Sequence, residues 1–185
     1  MVRRYTRTAV SLHWLMAVMI LCAFALGLYM AGLQLSPAKL KLYSWHKWLG
    51  VSIFLIAIAR LLWRLTHAVP ASPESSPAWQ RAVAVLTHWV IYVLLFAIPI
   101  SGWLMSSASG FQVVYFGLVP LPDLLHKDKA LAEQLKLLHE TLNYTLMVLF
   151  VLHVIAALKH HFIDRDDVLT RMLPFLGNTT RGEMK

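Results

Sequence analysis

The stretch HETLNYTLMVLFVLH, residues 139–153, sets a histidine at each end of a largely apolar run. Over fourteen residues an α-helix rises about 21 Å and turns to about 40° short of four full turns, so both imidazoles lie roughly on one face, at two depths. The apolar block that holds them, about 137–159, exceeds the roughly 17 residues a bilayer-spanning helix needs. Three more blocks of the same kind lie at about 9–33, 46–65 and 83–107.

The whole chain has this character. Of its 185 residues 58% are hydrophobic and 14% charged, against roughly 25% charged in soluble domains, and its mean hydropathy is +0.61. Backbone groups in hydrocarbon must be satisfied within their own segment, which predicts helices. No period-two alternation recurs over enough segments for a barrel. The first block is too long for a signal-peptide core and lacks a persuasive A-x-A site, so it is read as helix one. The expected fold is an all-α membrane protein, residues 1–185 forming one up-down four-transmembrane-helix bundle. The single Cys22 leaves no disulfide framework, no C-x-x-C-H for covalent haem and no iron–sulfur cluster. There is no dinucleotide fingerprint or phosphate loop.

Charge gives the orientation. All nine arginines fall before helix one (Arg3, Arg4, Arg7), around the second connection (Arg60, Arg64, Arg81) or in the tail (Arg165, Arg171, Arg181). The first and third connections hold only the lysines Lys39, Lys41, Lys47, Lys127, Lys129 and Lys136. With Lys159 and Lys185, eleven basic residues face six, which predicts both termini in the cytoplasm. The net charge of +8 thus describes topology and not nucleic-acid binding. The connection around 66–79, rich in proline and serine, reads as a short cytoplasmic loop. The longest connection, about 106–136, is long enough to cap the outer face, and the tail from Phe162 mixes charge with Leu and Phe in the manner of a membrane-surface segment that frays toward its end.

The fourteen-residue interval recurs on every block. Helix one carries His13 and Gly27, helix two His46 and Arg60, helix three His88 and Gly102, helix four His139 and His153. Threaded up-down-up-down, these residues form an outer level of His46, His139, Gly27 and Gly102 and an inner level of His13, His88, His153 and Arg60. Ionisable groups within a bilayer are costly and face a cavity or the bundle interior. A lone histidine there is most often a hydrogen-bonding or snorkelling group, and glycines often mark helix packing. Histidines pairing by depth instead suit axial ligation of low-spin haem, whereas zinc or copper would want more ligands at each level. The glycines would leave flat space for a porphyrin, and Arg60 would neutralise a haem propionate. The outer pair is His46 with His139. At the inner level, spacing does not choose between His13 and His88 as the partner of His153.

At these residues the sequence resembles the bacterial cytochrome b561 family, small di-haem membrane cytochromes related to the cytochrome b subunits of nickel-iron hydrogenases and formate dehydrogenases. The motifs are SLHWLMA in helix one, HKWLG and IARLLWR in helix two, THWVIYVLLFAIPISGW in helix three, and LHETLNYTLMVLFVLHVIAALKHHFIDRDDVLTRM at the end. The resemblance implies an inner-membrane protein with two non-covalent haems b, the inner held by His13 and His153, the outer by His46 and His139. It leaves His88 as a neighbour of the inner haem, bonded to a propionate.

Two six-coordinate haems have no open position at iron, which implies electron transfer. At the inner end His160, with Lys159 and Arg7, is expected to border a ubiquinone site, since a quinone needs a proton donor as it takes electrons. At the outer end Lys47, Lys127, Lys129 and Lys136 are expected to steer a small anion. By resemblance to family members that act alone, that anion is superoxide, and the chain is a superoxide:ubiquinone oxidoreductase. The competing expectation is a haem-bearing membrane anchor for a separate periplasmic oxidoreductase. A reduced spectrum with sharp α and Soret bands separates both from a histidine-relay metal transporter.

Overall fold

The computed structural model describes residues 4–71 and 76–173. Its elements are the helices α1 (Arg7–Ala31), α2 (Pro37–Thr66), α3 (Ala78–Ala108) and α4 (Lys129–Phe162), with a small hairpin of β1 (Val114–Tyr115) and β2 (Val119–Pro120) before α4. All four helices are long and apolar enough to cross a membrane, and they alternate in direction.

Three helix starts are written locally. The side chain of Thr6 accepts from Ala9 N, that of Ser36 from Lys39 N with Pro37 in the first turn, and that of Asp128 from Leu131 N. These caps place the start of α2 well before the apolar block, and likewise α4. Hydropathy marks where the bilayer begins, whereas a helix begins at its cap. His46 therefore sits more than two turns inside α2 rather than at its opening. Lys39 and Lys41 lie on α2, and Lys129 and Lys136 on α4 rather than on a loop.

The apolar core belongs to three of the helices. Met16 and Ala23 of α1, Ile53 and Ala57 of α2, and Tyr92 and Leu95 of α3 form one cluster, with the two alanines allowing close backbone approach. No α4 residue joins that cluster. The α4 backbone packs closely on α3, while α1 packs on α2 and α2 on α3. Toward α1 and α2, α4 reaches with aromatic rings, as where Phe24 meets Tyr144 edge to face at 6.0 Å. The remaining helix faces expose large side chains such as Leu15, Val18, Val93 and Val148, the surface a lipid bilayer covers.

The two ends differ. At the loop end, the connection from Ser109 to Asp128 folds back over the bundle. Trp48 Nε1 donates to Val114 O at 2.7 Å, Ser52 and Tyr115 share a hydroxyl hydrogen bond at 2.8 Å, and Trp103 Nε1 donates to Pro122 O at 3.1 Å. The hairpin closes through Phe116, Gly117 and Leu118; Gly117 takes φ +71°, a conformation glycine adopts freely. At the terminal end, residues 163–173 cross beneath the helices. Trp14 Nε1 donates to Met172 O at 2.8 Å and Arg171 NH1 to Ala71 O at 2.6 Å. The expected fraying of the tail, with Arg181 and Lys185, falls outside the described residues, as does Arg3.

Candidate metal centre

Four of the nine histidines form two pairs, and each pair joins α4 to another helix. At the loop-end level, His46 of α2 faces His139 of α4 with ring centroids 6.2 Å apart and planes at 82°. At the terminal-end level, His13 of α1 faces His153 of α4, again at 6.2 Å, with planes at 61°. Two imidazoles bound to one metal through nitrogen bonds of about 2 Å have ring centroids roughly 6 Å apart. Both pairs have that spacing. His88 also lies beside His153, edge-on at 5.4 Å, so the terminal-end level holds the three histidines that the helical interval brings there.

The loop-end pair has a built surround. His139 Nδ1 lies 3.0 Å from both Ile98 O and Ser101 Oγ, and Ser101 Oγ itself donates to Ile98 O at 2.8 Å. An imidazole that spends Nδ1–H on α3 presents Nε2 toward His46, the tautomer a metal ligand needs. Asn143 Nδ2 donates to His139 O at 2.7 Å, tying the same turn of α4. His46 Nδ1 is buried without a hydrogen-bond partner.

Each glycine of this level makes room for an imidazole. A Cβ on Gly102 would stand 3.0 Å from His139 Cε1, and one on Gly27 would stand 3.3 Å from His46 Cε1. The facing histidine ring is the first protein group that such a side chain would meet at either position, so the glycines set how far each imidazole can lean back toward its helix.

The terminal-end level is polar. Arg60 Nε donates to Tyr92 Oη at 3.2 Å, while its NH1 is buried without a partner. A buried guanidinium nitrogen left unpaired suits an anionic group that completes it, such as a propionate. His88 Nδ1 donates to Ala84 O at 2.6 Å within its own helix. The four histidine positions, the spacing of each pair, the held tautomer of His139 and the open donor of Arg60 all fit haem with two axial imidazoles.

The remaining candidate residues divide by end. His160 lines a cavity of about 130 Å³ at the terminal end, together with Tyr5, Gln80, Arg81, His88 and Arg171. Lys159 does not line it and instead pairs with Asp164 at 2.5 Å; Arg7 is exposed at the first residue of α1 and stays outside it too. At the loop end, Lys47 Nζ donates to Phe111 O at 3.3 Å, the stem of Lys127 crosses Gly110, and Lys129 and Lys136 are exposed on α4. Ser101, Ile98, Tyr92 and Asp166 were not singled out from sequence. Tyr92 and Ser101 carried a signal: Tyr92 lies one turn from His88, and Ser101 adjoins Gly102.

Residues 4–175 match the family model described as prokaryotic cytochrome b561. Cytochrome b561 homolog 2 of Escherichia coli (strain K12) is 39% identical over 171 residues, covering 92% of this chain and 91% of that protein. The probable superoxide oxidase CybB of Yersinia pestis is 29% identical over 173 residues, 93% of this chain and 97% of its own length. Cytochrome b561 homolog 1 of Escherichia coli (strain K12) is 27% identical over 175 residues, with 92% and 97% covered. With a bundle of four membrane-crossing helices and paired intramembrane imidazoles already in view, these matches place the chain in the prokaryotic cytochrome b561 family, membrane electron-transfer proteins carrying haem b.

Proposed function

We propose that this cytochrome holds two haems b, one between His46 and His139 and one between His13 and His153, and links an electron donor outside the cytoplasm to the membrane quinone pool. The carrying observation is the equal 6.2 Å spacing of two imidazole pairs, one α4 histidine in each. Bound there, haem b supplies two one-electron centres separated by about 21 Å of helix. The chain's residues orient the imidazoles, exclude water from the centre of the membrane and place unlike polarity at the two levels. His88 meets His153 edge-on with ring centroids 5.4 Å apart, closer than the roughly 6 Å that two imidazoles on one metal require, which suits a neighbour of His153 and not its axial mate.

The terminal end is the cytoplasmic end on this reading, because the arginines gather there. The donor is a small anion, superoxide first, drawn by Lys47, Lys127, Lys129 and Lys136. The relative named a probable superoxide oxidase favours it over other anions. The acceptor is ubiquinone, met at the His160 cavity. Stopped-flow mixing of the oxidised protein with superoxide, with and without quinone, tests the pair of assignments: fast haem reduction, with turnover that depends on quinone, is expected. A slow response unchanged by quinone would sink them.

A second reading has its own observation. The loop-end connection exposes Phe111, Phe116 and Leu118, the last at 82%, a greasy rim suited to docking a soluble oxidoreductase for which the chain is the membrane anchor. Co-purification of such a subunit from the native membrane decides for it.

A further inference from the structure

We propose that Asp166 is a positioning residue for His160, and that the two form a proton-delivering dyad for a quinone headgroup in the terminal-end cavity; this rests on the quinone reading above. After α4 ends at Phe162, the chain turns back on itself. Asp166 N donates to His160 O at 3.1 Å, and Arg165 takes the left-handed φ of +52° at this bend. The turn brings Asp166 Oδ2 to 2.6 Å from His160 Nδ1, while Asp166 Oδ1 accepts from Val168 N at 3.0 Å.

Both oxygens of the carboxylate are thus engaged, and the side chain is 11% exposed against 20% for His160. An imidazole whose Nδ1–H is held by a carboxylate engaged at both oxygens has one orientation, with Nε2 left for whatever occupies the cavity. Asp164 stands farther from the same Nδ1, at 3.4 Å, and is neutralised by Lys159. Arg81 and Arg171 are the other charged groups on the cavity wall, and both are directed to neighbouring carbonyls, Ser76 O and Ala71 O.

The cavity also reaches His88, whose ring lies against His153. One space therefore runs from the carboxylate-held histidine to the neighbour of the proposed haem ligand. Reduction of a quinone converts two C=O groups to C–OH. It needs two electrons, which the cytochrome supplies singly, and two protons. His160 gives a proton from Nε2 to a carbonyl oxygen and regains it from water at its exposed edge, and Asp166 holds Nδ1–H throughout, so the imidazole returns to the same geometry for the second proton.

The test follows reoxidation of the dithionite-reduced, haem-loaded full chain in nanodiscs. One oxidant is decylubiquinone, which needs protons, and the other is ferricyanide, which needs none. Asp166→Asn is expected to slow the quinone reaction about tenfold and His160→Gln about a hundredfold, with the double variant no slower than His160→Gln alone, because the carboxylate acts only through the imidazole. Ferricyanide rates stay at wild type in all three. Asp166→Glu restores most of the quinone rate, and Glu133→Gln, exposed on α4 at the opposite end of the molecule, leaves it unchanged. Haem content by absorbance certifies the fold of each variant. Wild-type quinone rates in Asp166→Asn, or equal slowing with ferricyanide, overturn the dyad and leave the quinone reading standing. If decylubiquinone fails to oxidise the wild-type protein, the quinone reading falls, and the dyad with it.

Discussion

The loop-end and terminal-end levels use the same kind of histidine pair at the same spacing and surround it in opposite ways. At the loop end a carbonyl and a hydroxyl of α3 hold His139, and two glycines abut the imidazoles. At the terminal end a third histidine and a half-buried arginine crowd the pair, and a cavity edged by arginine and histidine side chains opens beside them. One level is fixed by packing and by dipoles that favour a more basic imidazole, which stabilises ferric iron. The other carries a full positive charge, which opposes the extra charge of ferric iron. On the proposed two-haem reading, the difference predicts a direction: electrons entering at the loop end would run downhill toward the terminal end.

The largest effects separate the levels outright. Alanine at His139 or His46 is expected to remove one haem of two and leave the terminal-end spectrum, while alanine at His153 or His13 does the reverse. Haem-to-protein ratio by pyridine haemochromogen reads this out. If His88→Ala costs a haem and His13→Ala does not, the terminal-end pair is misassigned. Next, Gly102→Ala should lower occupancy of the loop-end haem far more than Gly27→Ala, because its new methyl group stands at 3.0 Å from an imidazole fixed by α3, against 3.3 Å from one that is not. Equal effects would remove the claim that these glycines position rings.

Smaller changes probe the direction of flow. Replacing Arg60 by leucine deletes the half-buried charge, and redox titration should show the terminal-end potential falling by on the order of 50 mV, with little change at the other level. Ser101→Ala should move the loop-end potential the opposite way, upward by less than roughly 40 mV, since one hydrogen bond worth about 1 kcal/mol is lost while Ile98 O remains. Two shifts of one sign would refute the contrast.

Sequence carried the bundle and the two histidine levels because both are periodic: apolar blocks have a length set by the bilayer, and a fourteen-residue interval returns a side chain nearly to its face. It did not carry the starts of α2 and α4, where Ser36 and Asp128 extend the helices past the apolar blocks. Nor did it carry the contacts of Ser101 with His139 or Arg60 with Tyr92. Those join residues 38 and 32 positions apart on different helices, and no local pattern records which neighbour a side chain will meet. Asp166 was hidden for a further reason: the bend that brings it to His160 lies past the end of the last apolar block, where periodicity ends.

Because α4 lends a histidine to both pairs while staying out of the three-helix core, it works as a ruler clamped at two marks. Adding one residue between 139 and 153 would swing the lower imidazole about 100° and slide it about 1.5 Å, so it would face lipid and its mate would be left alone. Tolerance of haem binding to insertion should therefore collapse within this interval and return beyond Phe162, where an added residue would disturb the turn that holds Asp166 on His160 but neither histidine pair.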